Sequence, residues 1–313
     1  GTGLFNYLYV PGRDPSQAQG VGGVNVRVDD RGPLVATVRV ESDAAGATTL
    51  IRVVQLVAGS DTVFVSAALD KRRVRSKESA HLILPFSIPD GVVRLDEGEA
   101  LVEPERNQLP GSCRDFVGVH SAVDVSGRDY GVSVATLDAP LIELGAMTDE
   151  RQNAARVRSW PEKVVPGTTL YAYLLNNYWH TNYKADQEGP LRFRFALQPH
   201  GAFDVVALRR FSDEQDQPLL VVPAVAAALP VKAPFTVAGG RVIATLVAPV
   251  DAGKALLIRL YNPTASETEA SIRPATSGAR LFAADSQGTA ERPIGSTVRL
   301  PPFATRMVRL ELR

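Results

Sequence analysis

Residues 191–197 read LRFRFAL. Leu191, Phe193, Phe195 and Leu197 alternate with Arg192, Arg194 and Ala196. A period of two places one set of side chains on a core and the other in water. The same spacing recurs along the chain, as Val24, Val26 and Val28 in VNVRV, Val38 and Val40 in TVRV, and Val63 and Val65 in DTVFVS. Ile258 and Leu260 straddle Arg259, and Met307 and Leu310 lie among further arginines. Turn residues separate these runs at Pro11-Gly12, Arg31-Gly32-Pro33, Pro89-Asp90-Gly91, Pro110-Gly111, Pro166-Gly167 and Gly239-Gly240. The 25 Gly and 22 Pro suit many short strands joined by many turns. Helical spacing is confined to Asp149–Val157 and Val221–Ala228. The pattern predicts an all-β, antiparallel protein.

A boundary is expected soon after LRFRFALQ. The segment FSDEQDQP at 211–218 is charged, polar and closed by proline, which is the composition of a surface linker. Shorter apolar runs follow, RVIATLV, KALLIRLYN and TRMVRLEL, each flanked by turns. The reading is a large β domain over residues 1–203 and a smaller antiparallel β-sandwich over 204–313.

Composition narrows the function. The chain has 313 residues, 45% apolar and 22% charged, with Lys+Arg and Asp+Glu both at 34. That balance gives no basic surface for nucleic acid or for an acidic membrane. No apolar run reaches the roughly 18 residues of a membrane helix, and no charged-then-apolar leader is present. Cys113 is the single cysteine, so no internal disulfide forms and a reduced, cytoplasmic setting is expected. Assembly into oligomers is compatible with these features.

The chemistry-bearing residues form no recognised catalytic spacing. His81, His120, His180 and His200 show no HxH, HxxxH or HExxH pattern, so no metal site is expected in this chain. His81, in the strand-like SAHLILPF, reads as a packed and hydrogen-bonded histidine. GVGGVN at Gly20–Asn25 precedes a strand and not a helix, which argues against a phosphate loop. Asp115, Asp124, Asp129 and Asp138 suggest no general acid–base pair of the kind a glycosidase needs. Asp124 and Asp129 flank the turn of VDVSGRDYG, where a capped turn suffices, and Asp138 reads as a strand end. The run LLNNYWHTNYKADQEG at 174–189 stands apart. Asparagine is disfavoured in strands, and a Trp among polar neighbours often has one wet end. Asn176, Asn177, Tyr178, Trp179, His180 and Asn182 therefore read either as a sugar-facing rim or as a seam in which the same groups satisfy buried backbone.

Several segments together resemble glycoside hydrolase family 38, the α-mannosidases. They are FNYLYVPG from residue 5, LDKRRVRSKESAHLILPFSIPDGVVRLD from 69, and NQLPGSCRDFVGVHSAVDVSGRDYGVSVATLDAPLIELG from 107. LLNNYWHTNYKADQEGPLRFRFALQPH from 174 and GSTVRLPPFATRMVRLEL from 295 complete the set. The resemblance covers most of residues 4–200 and is thinner beyond. It implies the C-terminal β region of such an enzyme, a large galactose-mutarotase-like β-supersandwich followed by a small β domain. The catalytic aspartate and the zinc of the family lie on an N-terminal barrel that this sequence does not match. The resemblance thus implies a chain without cofactor that is inactive alone. It would support a zinc-dependent catalytic domain and contribute to binding an α-mannoside-type carbohydrate. Arg114 and Asp115, in LPGSCRDF, are the expected neighbours of the Asn176–Asn182 loop. The start GTGLF, which lacks Met, fits a cut chain. A free-standing carbohydrate-binding or scaffold sandwich is the rival reading. An aldose epimerase is a third, requiring a convergent His and Glu in the cleft.

Overall fold

A computed structural model describes residues 3–149, 161–178, 184–221, 223 and 233–312. Apart from Asp149, Val221 and Pro223, the two expected helices Asp149–Val157 and Val221–Ala228 lie outside the described residues. The chain divides into two compact units, Gly1–Phe203 and Asp204–Arg313. Among the described residues the strands form four sheets, and every pairing is antiparallel. The all-β expectation holds.

The first unit is built from two sheets. The smaller one runs β1 (Asn6–Pro11), β6 (Glu78–Pro85), β13 (Thr169–Asn176), β12 (Leu141–Leu144) and β9 (Val117–Gly118). The larger begins β2 (Val21–Arg31), β3 (Val35–Ala44), β4 (Ala47–Val57), β5 (Val63–Lys71) and β14 (Gly189–His200). It continues through β11 (Gly131–Thr136), β10 (Ala122–Ser126), β7 (Val92–Glu97) and β8 (Ala100–Val102). One core joins them, with Leu82, Leu84, Leu170 and Ile142 meeting Leu50, Leu95, Val123 and Val134. Phe193, Phe195 and Leu197 of the opening stretch point into this core, while Arg194 turns outward to pair with Asp138. Cutting an enclosed Phe such as Phe195 to Ala would cost about 3–5 kcal/mol.

Two expectations need correction. Val24, Val26 and Val28 alternate on β2 as the sequence suggests, yet they are 54%, 61% and 43% exposed. The strand is the edge of the nine-stranded sheet, and no buried apolar residue lies on it. Alternation sets which face a side chain takes, but a second sheet must be present to make that face a core. The second correction concerns the segment read as a linker, which is helical. Helix α1 spans Val205–Asp216, buries Val206, Leu208 and Phe211, and starts at Asp204, whose carboxylate accepts from the backbone N–H of Val206 and Ala207.

Beyond the helix the second unit is a sandwich. A three-stranded sheet, β15 (Phe235–Ala238), β18 (Thr268–Pro274) and β21 (Thr297–Leu300), faces a five-stranded one. The latter runs β16 (Ile243–Val250), β17 (Ala255–Tyr261), β22 (Thr305–Glu311), β19 (Arg280–Ala284) and β20 (Ala290–Ile294). Ile272 and Leu300 of one sheet pack on Ile258, Leu260, Val308 and Leu310 of the other.

Candidate functional site

Strand β6 is enclosed on both faces. Leu82 and Leu84 point to the core, whereas Ser79 and His81 lie on the opposite face beside β13. A bulge between Tyr173 and Leu175 shifts the register of β13 by one residue. The strand then ends with Asn176 opposite Ser79, and the Asn177 N–H returns to the Glu78 carbonyl.

Asn177 acts here as a clamp. Its Oδ1 accepts from the Glu78 N–H at 2.7 Å, and its Nδ2 donates to the carbonyls of Val74 and Ser76 at 2.8 and 3.0 Å. A short polar side chain at the end of a strand can replace the ladder where the neighbouring chain leaves it. Beneath it Glu78 is paired with Lys71 at 2.7 Å, with both side chains enclosed. Burial first, and then the hydrogen bond to Glu78, raises the pKa of the Tyr9 hydroxyl. Tyr178 is also buried. Its carbonyl accepts from Arg13 and Lys77, the Arg13 guanidinium lies 5.4 Å from its ring centre, and its backbone N–H donates to Asn176 Oδ1.

From Tyr178 a polar relay runs through the fold. Its hydroxyl is 2.8 Å from Ser79 Oγ, which is 2.9 Å from His81 Nε2. His81 Nδ1 is 3.0 Å from Glu143 Oε2, and Glu143 Oε1 accepts from the Thr148 N–H. The Thr148 hydroxyl donates to the Asp115 carbonyl. The His81 ring stacks on Tyr173, centres 4.7 Å apart and planes at 6°. Ser79, His81 and Glu143 stand in the order of an acyl-transfer triad, but each is only 2% exposed. Geometry without access makes this relay a buried polar network, in which His81 Nδ1 and Glu143 Oε2 face each other without an aligned hydrogen bond. It bears out the reading of His81 as a packed, hydrogen-bonded side chain.

The residues singled out in the sequence divide accordingly. Asn177 and Tyr178 are buried and their polar atoms are taken up by the chain; Asn176 is half-buried. Trp179, His180 and Asn182 lie outside the described residues. Arg114 binds the Glu105 carboxylate at 2.6 Å, and this bond is the main reason that carboxyl sits below the usual range. Asp115 stands at the far end of the relay from Tyr178, where its carbonyl accepts from Thr148. The acidic turn that ends the motif is tied down too. Asp186 is held by Arg75 above all, with Arg73 and Lys184 adding to it, which lowers its carboxyl to about 2.

A further buried carboxylate, read in the sequence as part of a capped turn, has a partner far along the chain. Asp124 is fully enclosed, accepts from Ser126 and Ser133 at 2.5 and 2.9 Å, and sits 2.7 Å from His200 Nε2. The partners are 76 residues apart, so no local spacing announces them. Among the described residues no three His, Cys, Asp or Glu side chains are grouped to hold a metal. The described pairs His81–Glu143 and His200–Asp124 each stop at two.

A two-sheet β domain followed by a small β-sandwich is the class of structure seen here. It recurs in solved structures. An α-mannosidase from Enterococcus faecalis V583 matches 99% of this chain with a TM-score of 0.70 at 13% identity, and the match takes up 38% of that chain. A protein in glycosyl hydrolase family 38 from Enterococcus faecalis matches 99% with a TM-score of 0.69 at 14% identity, over 40% of its length. No protein-family profile and no curated protein sequence matches. The chain therefore shares the fold of about two fifths of these structures, and the family resemblance read from its sequence holds at the level of fold.

Proposed function

We propose that this chain is the non-catalytic β region of an α-mannosidase-like glycoside hydrolase and supports a catalytic domain that lies outside it. The carrying observation is that almost the whole chain, hence both units in one piece, matches part of a single α-mannosidase chain. A binding module of independent origin has no reason to share both units and their succession at 13% identity. The interior supports the same reading. Glu78, Asp124 and Glu143 are buried and each is met by a partner within the fold. A glycosidase needs two carboxyls, roughly 5–10 Å apart, open to the scissile bond. Zinc and the nucleophilic carboxylate belong, in this proposal, to the other domain, and an α-mannoside is its substrate.

Incubating the purified 313-residue chain with a chromogenic α-mannoside and zinc tests the division of labour. The expected result is no turnover and no stoichiometric zinc. Hydrolysis at ordinary enzyme rates would overturn the proposal.

A further inference from the structure

Arg94 and Ser126, both partners of Asp124, line a cavity at the turn between β10 and β11. Arg94 is fixed there, donating to Ser126 Oγ at 2.9 Å, lying 3.4 Å from Glu103 and stacking 4.2 Å over Phe203. Two glycines bring the walls in. A Cβ on Gly127 would stand 2.7 Å from the Pro89 carbonyl oxygen, and one on Gly131 would stand 2.3 Å from Ser126 Cβ and 2.7 Å from His200 Cε1. The turn is therefore packed against the 88–91 loop on one side and against β14 on the other. Between turn and loop lies a space of about 600 Å³, bordered by Asp90, Arg94, Ser126, Arg128, Asp129 and Tyr130. Its volume falls in the range of small-molecule sites, roughly 300–1,000 Å³. Asp90 holds a left-handed backbone, φ 51°, at its edge.

The rim is chemically open. Among the described residues the side chains of Asp90, Arg128, Asp129 and Tyr130 make no hydrogen bond or ion pair, and Tyr130 is 50% exposed. The unengaged charges are one cation and two carboxylates, since Arg94 is answered by Asp124 and Glu103. That balance repels phosphate or another anion. A metal is disfavoured because no third ligand joins the carboxylates. What remains suited is a neutral ligand with many hydroxyls. Carboxylates accept from vicinal hydroxyls, a guanidinium donates to them, and a half-exposed aromatic face covers the C–H face of a ring.

We propose that this cavity is a subsite for a neutral pyranose, with none of Asn176, Asn177 or Tyr178 on its border. Its position rests on geometry alone, while the choice of a sugar also rests on the glycosidase reading. The test is NMR titration of the labelled 313-residue chain with methyl α-mannopyranoside and methyl β-glucopyranoside. Amide shifts should concentrate at Asp90 and at Gly127–Gly131. Tyr130→Ala and Asp129→Asn should each weaken binding about tenfold or more, with Tyr130→Phe near wild type. Both positions are exposed, so the thermal midpoint should not move, which separates lost binding from lost fold. No response to either glycoside would overturn the proposal. So would shifts elsewhere that ignore Tyr130→Ala, or a response at these residues to calcium or phosphate alone. A chain that binds sugar here yet comes from a protein without glycosidase activity would keep the subsite and discard the function proposed above; the converse would do the reverse.

Discussion

Asn177→Ala tests whether the most unusual motif in the sequence is a clamp. The substitution removes four hydrogen bonds at once, the weakest a 3.4 Å contact from Nδ2 to Glu78 Oε1, whose carboxylate keeps Lys71. The Glu78 N–H loses its partner in a buried setting, and an orphaned buried donor costs about 1–3 kcal/mol. The Val74 carbonyl is half-buried and loses a bond of about 1 kcal/mol. Ser76 is exposed, so water takes over its carbonyl at little cost. The total is about 2–4 kcal/mol. Far-UV circular dichroism in a urea titration follows the unfolding of the strands. With a slope of roughly 2–3 kcal/mol per molar, the midpoint should fall by about 1 M. Asn177→Asp keeps the shape and the acceptor for Glu78 N–H but places a carboxylate against two carbonyls and beside Glu78. It should be at least as damaging as alanine. An Asn177→Asp chain as stable as wild type, or an alanine cost under about 1 kcal/mol, would refute the clamp and return Asn177 to the pool of ligand-facing groups.

Two further outcomes follow from the same interior. Lys71→Met leaves the Glu78 carboxylate buried without its cation and should cost about 3–5 kcal/mol, much of it recovered by adding Glu78→Met; urea unfolding of both variants checks this. Asp186 has its folded pKa depressed to about 2 from the usual 3.8, so its contribution is present above about pH 4 and is lost as pH falls toward 2. Thermal midpoints measured across that window should fall with pH, and Asp186→Asn should flatten the fall.

Local periodicity carried the fold. LRFRFAL told which of its side chains enter the core because both faces of β14 have real neighbours, a core on one side and solvent with Asp138 on the other. The same alternation in VNVRV misled, because an edge strand keeps its pleat without a second sheet above it. FSDEQDQP looked like a linker because its charges face water, while the apolar half of the helix, Val206 and Leu208, precedes it. Asp204 was the available signal, an N-cap before an apolar pair. The site was legible only in outline. Ser79 and His81 share a face by the rule of two, and that much is in SAHLILPF. That Glu143 and Tyr178 complete the relay depends on pairings 62 and 97 residues away from His81. The amides of Asn176 and Asn177 read as hydrogen-bonding groups in search of a partner; for Asn177 the partner proved to be backbone at 74–78, about 100 residues earlier, and for Asn176 the N–H of Tyr178 two residues on.

The central claim is that this chain works as part of a larger glycosidase. An antibody raised against the 313-residue chain recovers the natural polypeptide from its source cells, whose size on a denaturing gel and activity on a chromogenic α-mannoside are then measured together. The account predicts a polypeptide well beyond 313 residues that hydrolyses the α-mannoside and stops when zinc is chelated. A natural polypeptide no longer than this chain, with no α-mannosidase activity, would contradict it.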